Sequence, residues 1–142
     1  MPTRVELKDL AQTRLKEARV LYRNRFYDGS IYLAGYVVEL ALKARICKML
    51  DLRVYPDSGE ISRSFKTHNL DDLLRLSGLQ NKFDVAISRS PTLLANWSVV
   101  TNWSEQFRYH PVGTSSQAQA QEVLAALDDP RDGVLTWLKK YW

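Results

Sequence analysis

A chain of 142 residues fits one domain, 1–142, and can bury a real core; 45% hydrophobic and 25% charged residues are the composition of a soluble globular protein. The net charge of +4 favours acidic partners such as RNA only mildly, since many proteins this basic bind no nucleic acid. One cysteine excludes an intramolecular disulfide, and with only two histidines there is no zinc-ligand spacing, so no metal or cofactor is expected.

Arg4, Glu6, Lys8 and Asp9 stand where the apolar core of a secretory leader would sit, so the cytoplasm is the expected compartment. The first helix is predicted from about Thr3 to Phe26. Leu7, Leu10, Ala11, Leu15, Ala18, Leu21 and Tyr22 recur on one face, and Lys8, Lys16, Arg19 and Arg23 on another. Tyr27-Asp28-Gly29-Ser30 makes a tight connection in which Asp28 or Ser30 can cap the next helix.

That second helix, to about Asp51, is apolar almost all round and must be wrapped by others. Glu39, Lys43 and Arg45 interrupt it within a spanning length, so it reads as a core helix and not a membrane span. Cys47 reads as a small buried apolar residue in it. A short link makes the two helices antiparallel, with residues whose numbers add to about 54 at one level. Arg14 and Glu39 are therefore predicted to form a partly buried ion pair, with a Glu39–Lys43 pair on one helix as the alternative. Gly35 costs helix stability relative to alanine, a cost that close approach of a neighbouring helix would return.

From Leu52 to Lys66 the pattern is lost, and a long loop is expected. Asn69 or Thr67 caps a third helix that ends near Gly78, and a short helix is expected between Leu79 and Ile87. Pro91 opens a further helix to about Trp103, and residues 104–113 look irregular or extended. From Thr114 to Trp142 the chain reads as helical with a restart at Pro130, Asp129 capping it.

Tyr27-x-Gly29-Ser30, Gly35 and Glu39-Leu40-x-Leu42-Lys43-Ala44 resemble helix two of the HEPN family (higher eukaryote and prokaryote nucleotide-binding). His68-Asn69-Leu70-x-x-Leu73-Leu74, Trp103-Ser104-Glu105-Gln106-Phe107-Arg108-Tyr109 and Val134-Leu135-x-Trp137-Leu138-Lys139 are similar to later segments, in order. The resemblance implies an all-α, up-and-down bundle of four or five helices with a long loop between helices two and three, often as a homodimer. Many members are metal-independent ribonucleases with Arg-x(4–6)-His near the last long helix, shared across a dimer; others are non-catalytic partners in toxin–antitoxin or defence systems. A histidine moves protons near neutral pH and an arginine holds phosphoryl oxygens, which suits attack by a ribose 2′-hydroxyl.

Here the motif is broken. Arg108-Tyr109-His110 places the two groups only two residues apart. In a helix they would point apart, whereas an extended segment, favoured before Pro111, would put them on one side. Arg108 and His110 are the catalytic candidates. Arg108, Tyr109, Trp103, Lys16, Arg19 and Arg23 are the candidates for binding RNA or another ligand. Their structural alternatives are an Arg108 pair with Glu105 or Glu39, a Tyr109 packed under the last helix, aromatic rings in the core or a dimer interface, and a merely solvated basic face. A literal Arg-x(4)-His at Arg63 and His68 falls in the wrong place, and His68 is expected at a helix entrance, bonded to backbone groups.

The leading reading is a helper or binding protein of the toxin–antitoxin or defence kind, acting with an operon partner such as a nucleotidyltransferase or holding RNA or a nucleotide. The rivals are a metal-independent ribonuclease with a shortened Arg108/His110 site, and a plain protein-interaction module. Whether the chain is an enzyme is open at this point.

Overall fold

Thr3 starts the first helix, α1 (Arg4–Arg23), with a capping box: its hydroxyl accepts the Glu6 N–H at 3.2 Å, and the Glu6 carboxylate accepts the Thr3 N–H at 2.7 Å. The computed structural model describes residues 2–142, with the main chain alone at 60 and 61. Leu7, Ala11, Leu15 and Ala18 form the buried stripe of α1. The chain reverses through three residues, with Arg25 at φ +66°, and α2 (Tyr27–Met49) begins at once. It is buried on every side, from Ser30 to Cys47.

The remaining helices are α3 (Leu70–Leu76), α4 (Gln80–Arg89), α5 (Pro91–Thr101), α6 (Gln117–Asp128) and α7 (Val134–Leu138). The result is the expected all-α bundle, without named strands among the described residues; the one ladder contact is an isolated bridge between Thr3 and Val54. The core lies around α2, which packs against α1, α3, α6 and α7. Asn69 caps α3, its side chain accepting the Asp72 N–H at 3.0 Å. Cys47 is buried, which pushes its thiol up. Among the described residues, no helix is long and apolar enough to cross a membrane.

Several local expectations are corrected. Neither Asp28 nor Ser30 caps α2, because the helix starts before them. The Ser30 hydroxyl instead donates to the Ala18 carbonyl at 2.8 Å, and Asp28 reaches across to the 113–115 segment. The early start of α2 also shifts the register. Ser30 lies opposite Ala18 and Gly29 against Leu21, so Glu39 stands about one helical turn nearer the start of α1 than Arg14. The Arg14–Glu39 pair does not form. Arg14 binds Glu17 of its own helix at 2.8 Å, and Glu39 binds Lys43 at 2.7 Å, the alternative pairing.

The 52–66 stretch is more ordered than a plain loop. Tyr55 is 1% exposed, its hydroxyl donates to the Phe65 carbonyl at 2.7 Å, and a 3-10 segment spans Glu60–Lys66. The close neighbour of Gly35 is a side chain and not a helix. A Cβ there would stand 2.0 Å from the Trp103 ring. Pro130 lies in a turn, not in the first turn of a helix. The Asp129 carboxylate accepts the Arg131 and Asp132 N–H groups at 3.0 and 2.8 Å, and α7 starts only at Val134.

Candidate functional site

The segment after α5 positions the candidate site. Trp103 lies flat on Gly35 and is 7% exposed, with its indole N–H donating to the Tyr32 carbonyl at 3.0 Å. Tyr32 and Tyr36 flank the same ring at centroid distances of 6.3 and 5.7 Å. Trp103 is thus a wall of the fold and not a free stacking platform for a base. From this anchor Ser104 caps a 3-10 turn, Glu105–Tyr109, by accepting the Gln106 N–H at 3.1 Å.

Arg108 lies within that turn, whereas His110 lies past its end in an extended conformation, φ −65° and ψ 145°. The two therefore face different surroundings. The Arg108 guanidinium sits 4.8 Å above the Tyr109 ring, and the Tyr109 and Tyr32 hydroxyl groups hold it charged, Tyr109 first. His110 stacks on Phe107 at 4.6 Å and lines an apolar cavity of about 260 Å³ with Ile31, Val100, Trp103 and Val123. Among the described residues Arg108 has no carboxylate within ion-pair distance, so its expected pairing with Glu105 or Glu39 is absent. Tyr109 is 70% exposed and does not pack under the last helix.

Of the basic face of α1, Arg19 forms an ion pair with Asp128 at the end of α6, while Lys16 and Arg23 are exposed. The structure does not bring Lys16 or Arg23 into either cavity beside Trp103.

The second cluster, centred on Glu39, was legible in sequence only in part. Glu39 is fully buried, and its Oε1 accepts from Lys43 Nζ at 2.7 Å and meets His68 Nδ1 at 2.9 Å. Its Oε2 is buried without a protein partner. Lys43 also lies 5.1 Å from the centre of the Tyr55 ring. His68 does stand at a helix entrance as expected, but it bonds a carboxylate and not the backbone. Its ring lines a polar cavity of about 290 Å³ together with Asn69, Thr101, Ser104 and Glu105, and Trp103 separates this cavity from the apolar one. Tyr36 joins the two clusters. Burial first, and then Glu39, pushes its hydroxyl up, with Arg108 pulling the other way.

Among the described residues no His, Cys, Asp and Glu group could hold a metal ion. The HEPN domain family model matches residues 5–129, from the second residue of α1 to just past α6. The chain belongs to the HEPN family. No curated protein and no solved structure gave a match. Membership accounts for the frame: the matched span includes the Glu39 helix, the His68 helix entrance and the Trp103–Tyr109 turn. The broken motif is then a property of this HEPN chain, and its arginine and histidine are divided by the end of a 3-10 turn.

Proposed function

We propose that this HEPN protein holds RNA or a nucleotide without efficient catalysis. It acts as a cytoplasmic helper of the toxin–antitoxin or defence kind, as a homodimer beside a partner protein such as a nucleotidyltransferase. One observation carries the reading. Arg108 lies over Tyr109 toward Tyr32, while His110 stacks on Phe107 above a separate cavity, so the pair that would hold one phosphate and move the proton of the attacking 2′-hydroxyl is not assembled. What remains is an exposed cation between exposed and half-buried tyrosines, a combination suited to a phosphate and an adjoining base.

The test is binding and cleavage of mixed RNA in EDTA. Wild type should bind with an affinity that falls as salt rises, Arg108→Ala should weaken it about tenfold, and cyclic-phosphate ends should not accumulate. Cleavage that disappears in both Arg108→Ala and His110→Ala would replace this reading with the ribonuclease one. Failure to bind RNA at any salt concentration would leave a protein-docking module.

A further inference from the structure

The polar cavity beside Trp103 has a chemistry that the phosphate site lacks. Its lining is mostly polar, with His68, Asn69, Asp71, Thr101, Ser104 and Glu105 in it, and Leu70 and Trp103 are its apolar part. A base would need broad apolar or aromatic faces, and here the Trp103 ring is already buried against Gly35 and Leu70 is buried in the core, which leaves only the small His68 imidazole exposed. A phosphate would need cations, and the two acids Asp71 and Glu105 would repel it. A cavity of about 290 Å³, at the lower edge of ligand-site volumes, that offers acceptors and hydroxyls suits a small polyhydroxylated ring.

The tautomer of His68 is fixed by its neighbour. Glu39 is buried and already takes the Lys43 ammonium, so as a carboxylate it only accepts, and His68 Nδ1 must carry the proton in their 2.9 Å bond. In the neutral ring Nε2 is then an acceptor. The His68 side chain is 40% exposed, at the cavity wall. Asn69 spends its oxygen on the Asp72 N–H, which leaves its amide N–H groups as donors. A sugar hydroxyl both donates and accepts, and the wall supplies both partners.

Arg108 lies outside the cavity lining, three residues after Glu105, which is part of it. Both belong to the 3-10 turn Glu105–Tyr109, where side chains three residues apart eclipse one another. We propose that the cavity is a ribose subsite, in which His68, oriented by Glu39, and Glu105 accept hydrogen bonds from the sugar hydroxyls of a ribonucleotide whose phosphate lies on Arg108. This rests on the nucleotide-holding reading above and adds to it a selectivity for ribose over deoxyribose. His68 is the group that touches the sugar; Glu39 is a positioning residue.

The experiment is fluorescence anisotropy with a labelled uridine dodecamer and its deoxyuridine counterpart, together with calorimetry on uridine and deoxyuridine monophosphates. Wild type should favour the ribo strand about tenfold, one hydrogen bond's worth. His68→Ala should abolish that ratio while leaving the deoxy affinity in place. Glu39→Gln should shrink the ratio and move the His68 ¹⁵N resonances toward the other tautomer, a signature that simple loss of stability would not give. Arg108→Ala should weaken both strands alike. A ribose preference in the dodecamer alone identifies a strand as the source of the sugar; one in the monophosphates identifies a free nucleotide. Equal ribo and deoxy binding that still depends on Arg108 would overturn the ribose subsite and leave the nucleotide-holding reading intact. No binding of either strand would overturn both.

Discussion

Two carboxylates of α2 tie that helix to later parts of the chain, and they do it in opposite environments. Glu39 is fully buried and grips His68 ahead of α3, while Asp28 lies near the surface and accepts the N–H groups of Gly113 and Ser115 at 2.6 and 2.7 Å. The buried tie must offset a desolvation cost, so it holds only because Lys43 and His68 meet one oxygen together. The exposed tie costs little to make and little to lose. Between them Gly35 receives Trp103. The same helix thus fixes the walls of the polar cavity rigidly at one end and holds the 110–115 segment lightly at the other.

The largest expected effect breaks the rigid end. Glu39→Ala removes one side of a buried ion pair and leaves Lys43, 15% exposed, and His68 without their acceptor, which should cost about 3 kcal/mol. Arg14→Ala, on the residue once expected to pair with it, should cost under about 0.5 kcal/mol, because its actual pair with Glu17 is half exposed. Urea melts of the two variants read the contrast. A loss in Arg14→Ala comparable to that in Glu39→Ala would mean that the two residues do interact.

Gly35→Ala probes the centre. The new Cβ would stand within 2.3 Å of three Trp103 ring atoms, so the indole must move, and overpacking of this kind costs about 2 kcal/mol. Because Trp103 leads directly into the 105–109 turn, the variant should also weaken RNA binding, with the two losses measured by melting and by anisotropy. Full stability with normal binding would show that the ring can retreat freely, and Gly35 would then be no anchor.

How far these features could be read in the sequence follows from the range of the interactions involved. The buried stripe of α1 and the all-round burial of α2 come from local periodicity, and Asn69 from a local cap, so all three were legible. The Glu39–His68 bond joins residues 29 apart across the ordered 52–66 stretch, and no local pattern carries it. The register failed on a few residues, since α2 begins at Tyr27 with no side-chain cap to mark it. Pro111 did signal that His110 is extended, but nothing nearby signalled that Arg108 sits in a 3-10 turn, and that difference is what divides the expected dyad. Trp103 stood in the sequence both as a ligand-contact candidate and as a core or interface ring, and nothing local decided between them, because its partner, Gly35, is a glycine far along the chain.

The smallest effect tests the light end. Hydrogen bonding from Gly113, ahead of Ser115, holds the Asp28 carboxyl below the usual aspartate range. Its contribution to stability is therefore complete above the unfolded value of about 3.9 and is lost as pH falls through the lower folded value. The Gly113 and Ser115 amide resonances should then titrate together with a midpoint below that of a free aspartate, and Asp28→Asn should leave both flat. The fold should persist through this step, since the tie is exposed and the core around α2 does not include it. Gly113 lies at φ +85°, a conformation glycine holds without strain, and the Thr114 N–H donates to the Pro111 carbonyl at 3.2 Å, so the local turn does not itself depend on Asp28. Amides that moved separately, or a midpoint at or above the free value, would mean that Asp28 does not hold the 113–115 segment, and the contrast between the two ends of α2 would fail.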